Sequence, residues 1–194
     1  TCMNGEMCIR ESGSEEGAKE PVAHPGAKIK EILKEYTSPK VKDLPSFTGG
    51  LVGYFSYDYV KYSEPKLNLD ADDQEGFKDV DLMLFDKVIA FDNLRQKIYI
   101  IANARTENLE QEYDRCLAEI EEIVDLIEHG TPAQITPGKI TSEFRPLFSE
   151  QEYCAMVEKA KHYIYEGDIF QVVLSNRLEA DYEGSLFNAY RMLR

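Results

Sequence analysis

Tyr165-Glu-Gly-Asp-Ile-Phe-Gln-Val-Val-Leu-Ser-Asn-Arg177 decides how this chain is read. Gly167 stops a helix, and the chain passes straight into Ile169-Phe-Gln-Val-Val-Leu174, whose β-branched and aromatic residues favour a strand. One amide, Gln171, interrupts that apolar run. A buried amide left without partners costs roughly 1–3 kcal/mol. This element is therefore expected either to carry an internal hydrogen bond or to face a site.

Working outward, Ser149-Glu-Gln-Glu152 has the spacing of a capping box. It predicts a helix to about Glu166, with Met156, Val157, Ala160, Tyr163 and Ile164 on its apolar face. Ser185–Arg194 starts a second amphipathic helix with no stop signal, and Thr1 is not an initiator residue, so the chain is expected to be an internal fragment. Between Thr131 and Leu147, three prolines and Gly138 mark a linker and a domain boundary. Before it, residues 106–129 predict a long helix with a buried stripe through Leu109, Tyr113, Cys116, Leu117, Ile120, Ile123, Val124 and Ile127, and Gly130 as its cap. Leu82–Phe91 and Lys97–Ala102 read as two strands joined at Asp92-Asn-Leu-Arg95. Residues 63–80 form an acidic surface loop. Ile29, Ile32, Leu33 and Tyr36 give a short helix its apolar face. Residues 1–25, polar and aperiodic, read as a strand remnant and a mobile loop.

The composition is that of an ordinary globular protein, 43% hydrophobic and 30% charged. A net charge of −14 without a basic stripe argues against a nucleic-acid partner. No apolar run is long enough to span a bilayer and no signal peptide opens the chain, so a cytoplasmic location is expected. Cys2, Cys8, Cys116 and Cys154 lack metal-ligand spacing and are expected as reduced thiols, Cys116 and Cys154 packing as small hydrophobes on helix faces.

Gly49-Gly-Leu-Val-Gly53 lacks the Lys-Ser/Thr of a phosphate loop and sits in strand-like sequence, so its glycines are read as structural. His24, His129 and His162 are scattered, and no nucleophile–base pair follows from spacing. Glu119, Glu121 and Glu122 are read as the solvated face of the long helix, and Asp72 and Asp73 as loop acids. Asp168, Ser175 and Arg177 are given no catalytic role, with a surface ion pair the default for Arg177. No catalytic residue and no metal ligand is assigned.

Two segments carry a family resemblance. Tyr165–Arg177 resembles the start of the chorismate-binding domain shared by anthranilate synthase component I and its relatives, and Phe47-Thr-Gly-Gly-Leu-Val-Gly-Tyr-Phe-Ser-Tyr-Asp58 resembles the glycine-rich strand of that family's N-terminal domain. The resemblance implies an α+β fold, with layered antiparallel sheets flanked by helices. Residues 1–130 would be part of a regulatory-type N-terminal domain, 131–148 a linker, and 149–194 the start of the catalytic domain; residues 1–25 match the family poorly.

The activity implied is that of a lyase of tryptophan biosynthesis. Chorismate and ammonia, the latter delivered by a glutamine amidotransferase subunit, become anthranilate and pyruvate. Mg²⁺ held by glutamates that match nothing here, and tryptophan feedback, are implied for the whole enzyme, while the fragment alone would be inactive. In relatives that add water to chorismate, a lysine occupies the position of Gln171. A desolvated lysine can act as a base on water, whereas an amide cannot. Gln171 is therefore expected to line the chorismate pocket of an enzyme whose nucleophile is ammonia, with a buried structural amide as the plainer reading. Aminodeoxychorismate synthase component I and a non-catalytic regulatory or scaffolding module remain alternatives.

Overall fold

Asn4 and Gly5 turn the chain back on itself within its first nine residues. Both have positive φ, 49° and 80°, as a type I′ turn requires, and this turn matches the twist of two antiparallel strands. β1 (Cys2–Met3) and β2 (Glu6–Ile9) flank it, with Met3 opposite Glu6 and Cys2 opposite Met7. β3 (Ala18–Pro21) pairs antiparallel with β2. The expectation of a strand remnant and a mobile loop is corrected here: the stretch forms three strands, and Asn-Gly was the signal that marked them.

The structure is a computed structural model that describes residues 1–69, 73 and 75–194. Asp72, read as a loop acid, lies outside the described residues. The chain divides into two compact units, Thr1–Gly130 and Thr131–Arg194.

In the first unit, Pro25 opens α1 (Pro25–Glu35), where its missing N–H costs nothing. β4 (Gly50–Phe55) leads into a 3₁₀ helix, Tyr57–Tyr62. β5 (Val80–Phe85) then completes a five-stranded antiparallel sheet of order β3-β2-β1-β5-β4. Gly53 in β4 has φ 157°, and a Cβ there would run into the Asp81 carbonyl on β5. Cys2, Met7 and Val80 form the buried core, packed by Val22, Ile29, Tyr59, Tyr62 and Leu82.

The strand expected over Leu82–Phe91 is two strands. β6 (Lys87–Asp92) leaves the sheet at Asp86 and pairs with β7 (Lys97–Ala102). The break has a visible cause: the Asp86 carbonyl accepts from both the backbone N–H (2.9 Å) and the side chain (2.8 Å) of Asn103, and that same amide reaches Thr48 O at 2.8 Å.

α2 (Leu109–His129) lies against β7. Of its expected stripe only Cys116 is buried, and Leu109 and Tyr113 are more than half exposed. Gly130 ends the helix in an extended conformation (φ −62°), not a left-handed one. Glu119 does not lie on a solvated face. It bridges Lys87 of β6 (3.1 Å) and Arg115 (2.8 Å).

In the second unit, residues expected as a linker supply β8 (Lys139–Ile140) and β9 (Arg145–Pro146). These pair antiparallel with β11 (Tyr182–Glu183) and β10 (Leu178–Glu179), respectively. α3 (Glu150–Glu166) and α4 (Phe187–Leu193) complete it. Cys154 on α3 is exposed, contrary to its expected packing. Helices with antiparallel sheets make this an α+β fold, as the sequence implies.

Candidate functional site

The segment that should carry the site is launched by α3. Ser149 Oγ accepts from the Glu152 N–H, and the Glu152 carboxylate accepts from the Ser149 N–H at 2.8 Å, a closed capping box. Gly167, at φ 83°, ends the helix in the left-handed conformation that glycine adopts without strain, with its N–H on Ile164 O at 3.2 Å. Residues 169–177 then run out to β10.

Their anchors lie at the far end. Asn176 brackets Phe148, donating to its carbonyl at 2.8 Å and accepting from its N–H at 3.0 Å, so one side chain stands in for a neighbouring strand. Leu147 N–H reaches Arg177 O at 2.8 Å, and Tyr153 Oη donates to Leu174 O at 3.1 Å. Arg177 pairs with Glu179 at 2.7 Å, the surface ion pair expected of it.

Ile169–Leu174 is not a strand in this structure. Among the described residues no strand pairs with it, and the ladder that would fix alternating faces is missing. Phe170 is fully exposed and Val173 nearly so. Gln171 is exposed as well, so neither the internal hydrogen bond nor the buried structural amide expected of it is found among the described residues.

The most perturbed titratable cluster lies in the first unit, and sequence reading missed it by placing Asp79 in a surface loop. Asp79 is 3% exposed. Its Oδ1 meets Lys61 Nζ at 2.7 Å, while its Oδ2 accepts from Tyr62 Oη and from the Asn4 N–H, each at 2.7 Å. Tyr62 Oη in turn accepts from the Gly5 N–H at 2.8 Å. Burial alone would raise the Asp79 carboxyl, but the bonds from Lys61, Tyr62 and Asn4, with the Lys61 charge, hold it below the usual carboxylate value. Burial and the bond donated to Asp79 push the Tyr62 phenol well above its ordinary value, so it stays protonated.

A buried, perturbed carboxylate is a candidate for chemistry. Here, however, both oxygens are engaged by protein donors, and the cluster acts as a latch tying the β1–β2 turn to the 3₁₀ helix and β5. Beside it, an open groove of about 520 Å³ is walled by Ile29, Leu33, Phe55, Tyr59 and Tyr62, with His24 and Lys30 also lining it. Among the described residues no group of three or more His, Cys, Asp or Glu side chains could hold a metal ion, and no helix of the described residues is long and apolar enough to cross a membrane.

Comparison with known proteins decides what these elements belong to. Residues 6–194 match the model of a chorismate binding enzyme family. The chain belongs to the chorismate binding enzymes. It is 34% identical to anthranilate synthase component 1 of Acinetobacter calcoaceticus over 199 residues, covering 100% of this chain and 39% of the relative. To the Aquifex aeolicus protein of the same name it is 39% identical over 174 residues, covering 88% of this chain and 35% of the relative. The crystal structure of anthranilate synthase component I from Streptococcus pneumoniae superposes with a TM-score of 0.67 at 26% identity, covering 97% of this chain and 42% of that one. The chain thus spans well under half the length of these relatives. Residues 1–25, expected to match the family poorly, fall inside the Acinetobacter alignment.

Proposed function

We propose that this chain is part of an anthranilate synthase large subunit, a lyase that converts chorismate and ammonia to anthranilate and pyruvate in tryptophan biosynthesis. The observation that carries this reading is the run of curated relatives named for that activity, at 34% and 39% identity in the two cited. Gln171 adds chemical support. The reaction's nucleophile must attack without help from this position, because a carboxamide holds no exchangeable base. Ammonia meets that demand and water does not.

In this reading Gln171 lines the chorismate pocket and offers its amide N–H groups and carbonyl to the substrate. The exposed Phe170 and Val173 would then be covered by the rest of the enzyme. Ammonia would come from a glutamine amidotransferase subunit, tryptophan would act as feedback inhibitor, and the enzyme would work in the cytoplasm. The Mg²⁺ that the resemblance implies would be held by residues of the whole enzyme outside this stretch, since the described residues offer no group of three or more His, Cys, Asp or Glu side chains for it.

The test uses the full-length enzyme with chorismate and either glutamine plus the partner subunit or ammonium. Fluorescent anthranilate and stoichiometric pyruvate are expected. Amination without pyruvate release would refute the assignment in favour of an aminodeoxychorismate product. Gln171→Lys should impair amination, through KM or kcat, by an order of magnitude or more, equivalent to about 1.4 kcal/mol; unchanged kinetics would remove Gln171 from the pocket.

A further inference from the structure

Asn4-Gly5 has a chemistry of its own. In an open chain the Gly5 nitrogen, unshielded by any side chain, attacks Asn4 Cγ. A C–N bond forms, the Gly5 nitrogen loses its proton to solvent, and the side-chain nitrogen leaves as ammonia, giving a succinimide. Water then opens that ring at one carbonyl or the other, to aspartate or isoaspartate. Attack requires a free Gly5 N–H and an Asn4 side chain able to swing onto it.

The latch holds the two reacting groups in opposite ways. The Gly5 N–H donates to Tyr62 Oη at 2.8 Å. That phenol spends its own proton on Asp79 Oδ2 at 2.7 Å, so it faces Gly5 as a neutral acceptor and not as a base. The Asn4 N–H is bound to the same carboxylate oxygen at 2.7 Å, which fixes the left-handed backbone at φ 49°. The Asn4 amide oxygen, by contrast, accepts from Lys61 Nζ at 3.1 Å. A cation at that atom stabilises the negative charge it gains when Cγ is attacked. The electrophile is activated while the nucleophile is locked.

We infer that Asn4 is a self-modification site, a deamidation site held closed by the Gly5–Tyr62 hydrogen bond and opened when the β1–β2 turn leaves Asp79. Conversion is consequential because isoaspartate adds one atom to the backbone of a two-residue turn. The turn then no longer sets Cys2 opposite Met7, and those two residues with Val80 make up the buried core cluster of the sheet.

The experiment incubates the folded chain near neutral pH and follows conversion at Asn4 by peptide-mapping mass spectrometry, beside the peptide Cys2–Ile9 as the unlocked reference. The folded chain should convert about tenfold or more slowly than the peptide, since reaction waits on local opening. Tyr62→Phe should restore much of the peptide rate, and adding Lys61→Met to Tyr62→Phe should slow it again. Should Tyr62→Phe fail to fold, the unmodified sequence still decides: in sub-denaturing urea, conversion at Asn4 and hydrogen exchange of the Gly5 amide should rise in proportion. A peptide-like rate in the folded chain, or conversion that does not track Gly5 exchange, overturns the inference.

Discussion

Asp79→Asn tests the latch without opening a cavity, because the two side chains have the same shape. In the native chain, Oδ1 takes Lys61 and Oδ2 takes both Tyr62 and Asn4, all at 2.7 Å. An asparagine keeps one acceptor oxygen and must turn its NH₂ toward a donor, either the Lys61 ammonium or the Tyr62–Asn4 pair. Losing a hydrogen bond to a charged group costs about 1.5–3 kcal/mol, and breaking a buried ion pair about 3–5 kcal/mol. The Lys61 side chain is 28% exposed and can recover water, which places the expected loss at about 2–4 kcal/mol. That is a large share of the roughly 5–15 kcal/mol that a domain has.

The chain contains no tryptophan, so urea unfolding is best followed by circular dichroism and tyrosine fluorescence, with hydrogen exchange at the Cys2–Met7 pair reporting on the first unit. A pH series checks the cause. The folded Asp79 carboxyl titrates below the ordinary value of 3.8. Its contribution is therefore complete above that pH and is lost as pH falls through the folded value. Asparagine does not titrate, so the two proteins should converge in acid. A loss under about 0.5 kcal/mol, the level of an ordinary surface substitution, or a gap that persists unchanged well into acid, would refute the latch.

Gly53→Ala places a Cβ against the Asp81 carbonyl in the centre of the β4–β5 pairing; a loss of about 1–3 kcal/mol is expected for such overpacking, read as a lower urea midpoint of the first unit. Ser149→Ala removes the acceptor for the Glu152 N–H and opens the capping box. It should cost about 1 kcal/mol, seen as earlier thermal loss of α3 helicity, while hydrogen exchange across β1–β2 is unchanged.

What the sequence made legible depended on the range of the interaction that fixes each element. α3 is set by local chemistry, since Ser149, Glu152 and Gly167 fix both ends within the helix itself, and its bounds agree with expectation. The β6–β7 hairpin is equally local, with Asp92 Oδ1 accepting from the Leu94 and Arg95 N–H groups at 3.1 and 2.9 Å. Asp79 and Glu119 were misread for the opposite reason. Each is an acid among acids in sequence, and each is met by a cation on another element, Lys61 in one case and Lys87 of β6 in the other. No pattern of spacing encodes a partner 18 or 32 residues away.

Ile169–Leu174 marks the same limit from the other side. Its composition favours a strand, but strand propensity measures fit to a pleated, half-buried surface and not an intrinsic backbone state. Among the described residues no strand pairs with these six, the chain bends at Phe170, and Gln171 meets solvent. The family resemblance identified what the segment belongs to, because residue identities survive whether or not the sheet is present. Whether Gln171 faces a substrate is a property of the surface that covers it. That is why the decisive measurement on Gln171 is kinetic and belongs to the full-length enzyme.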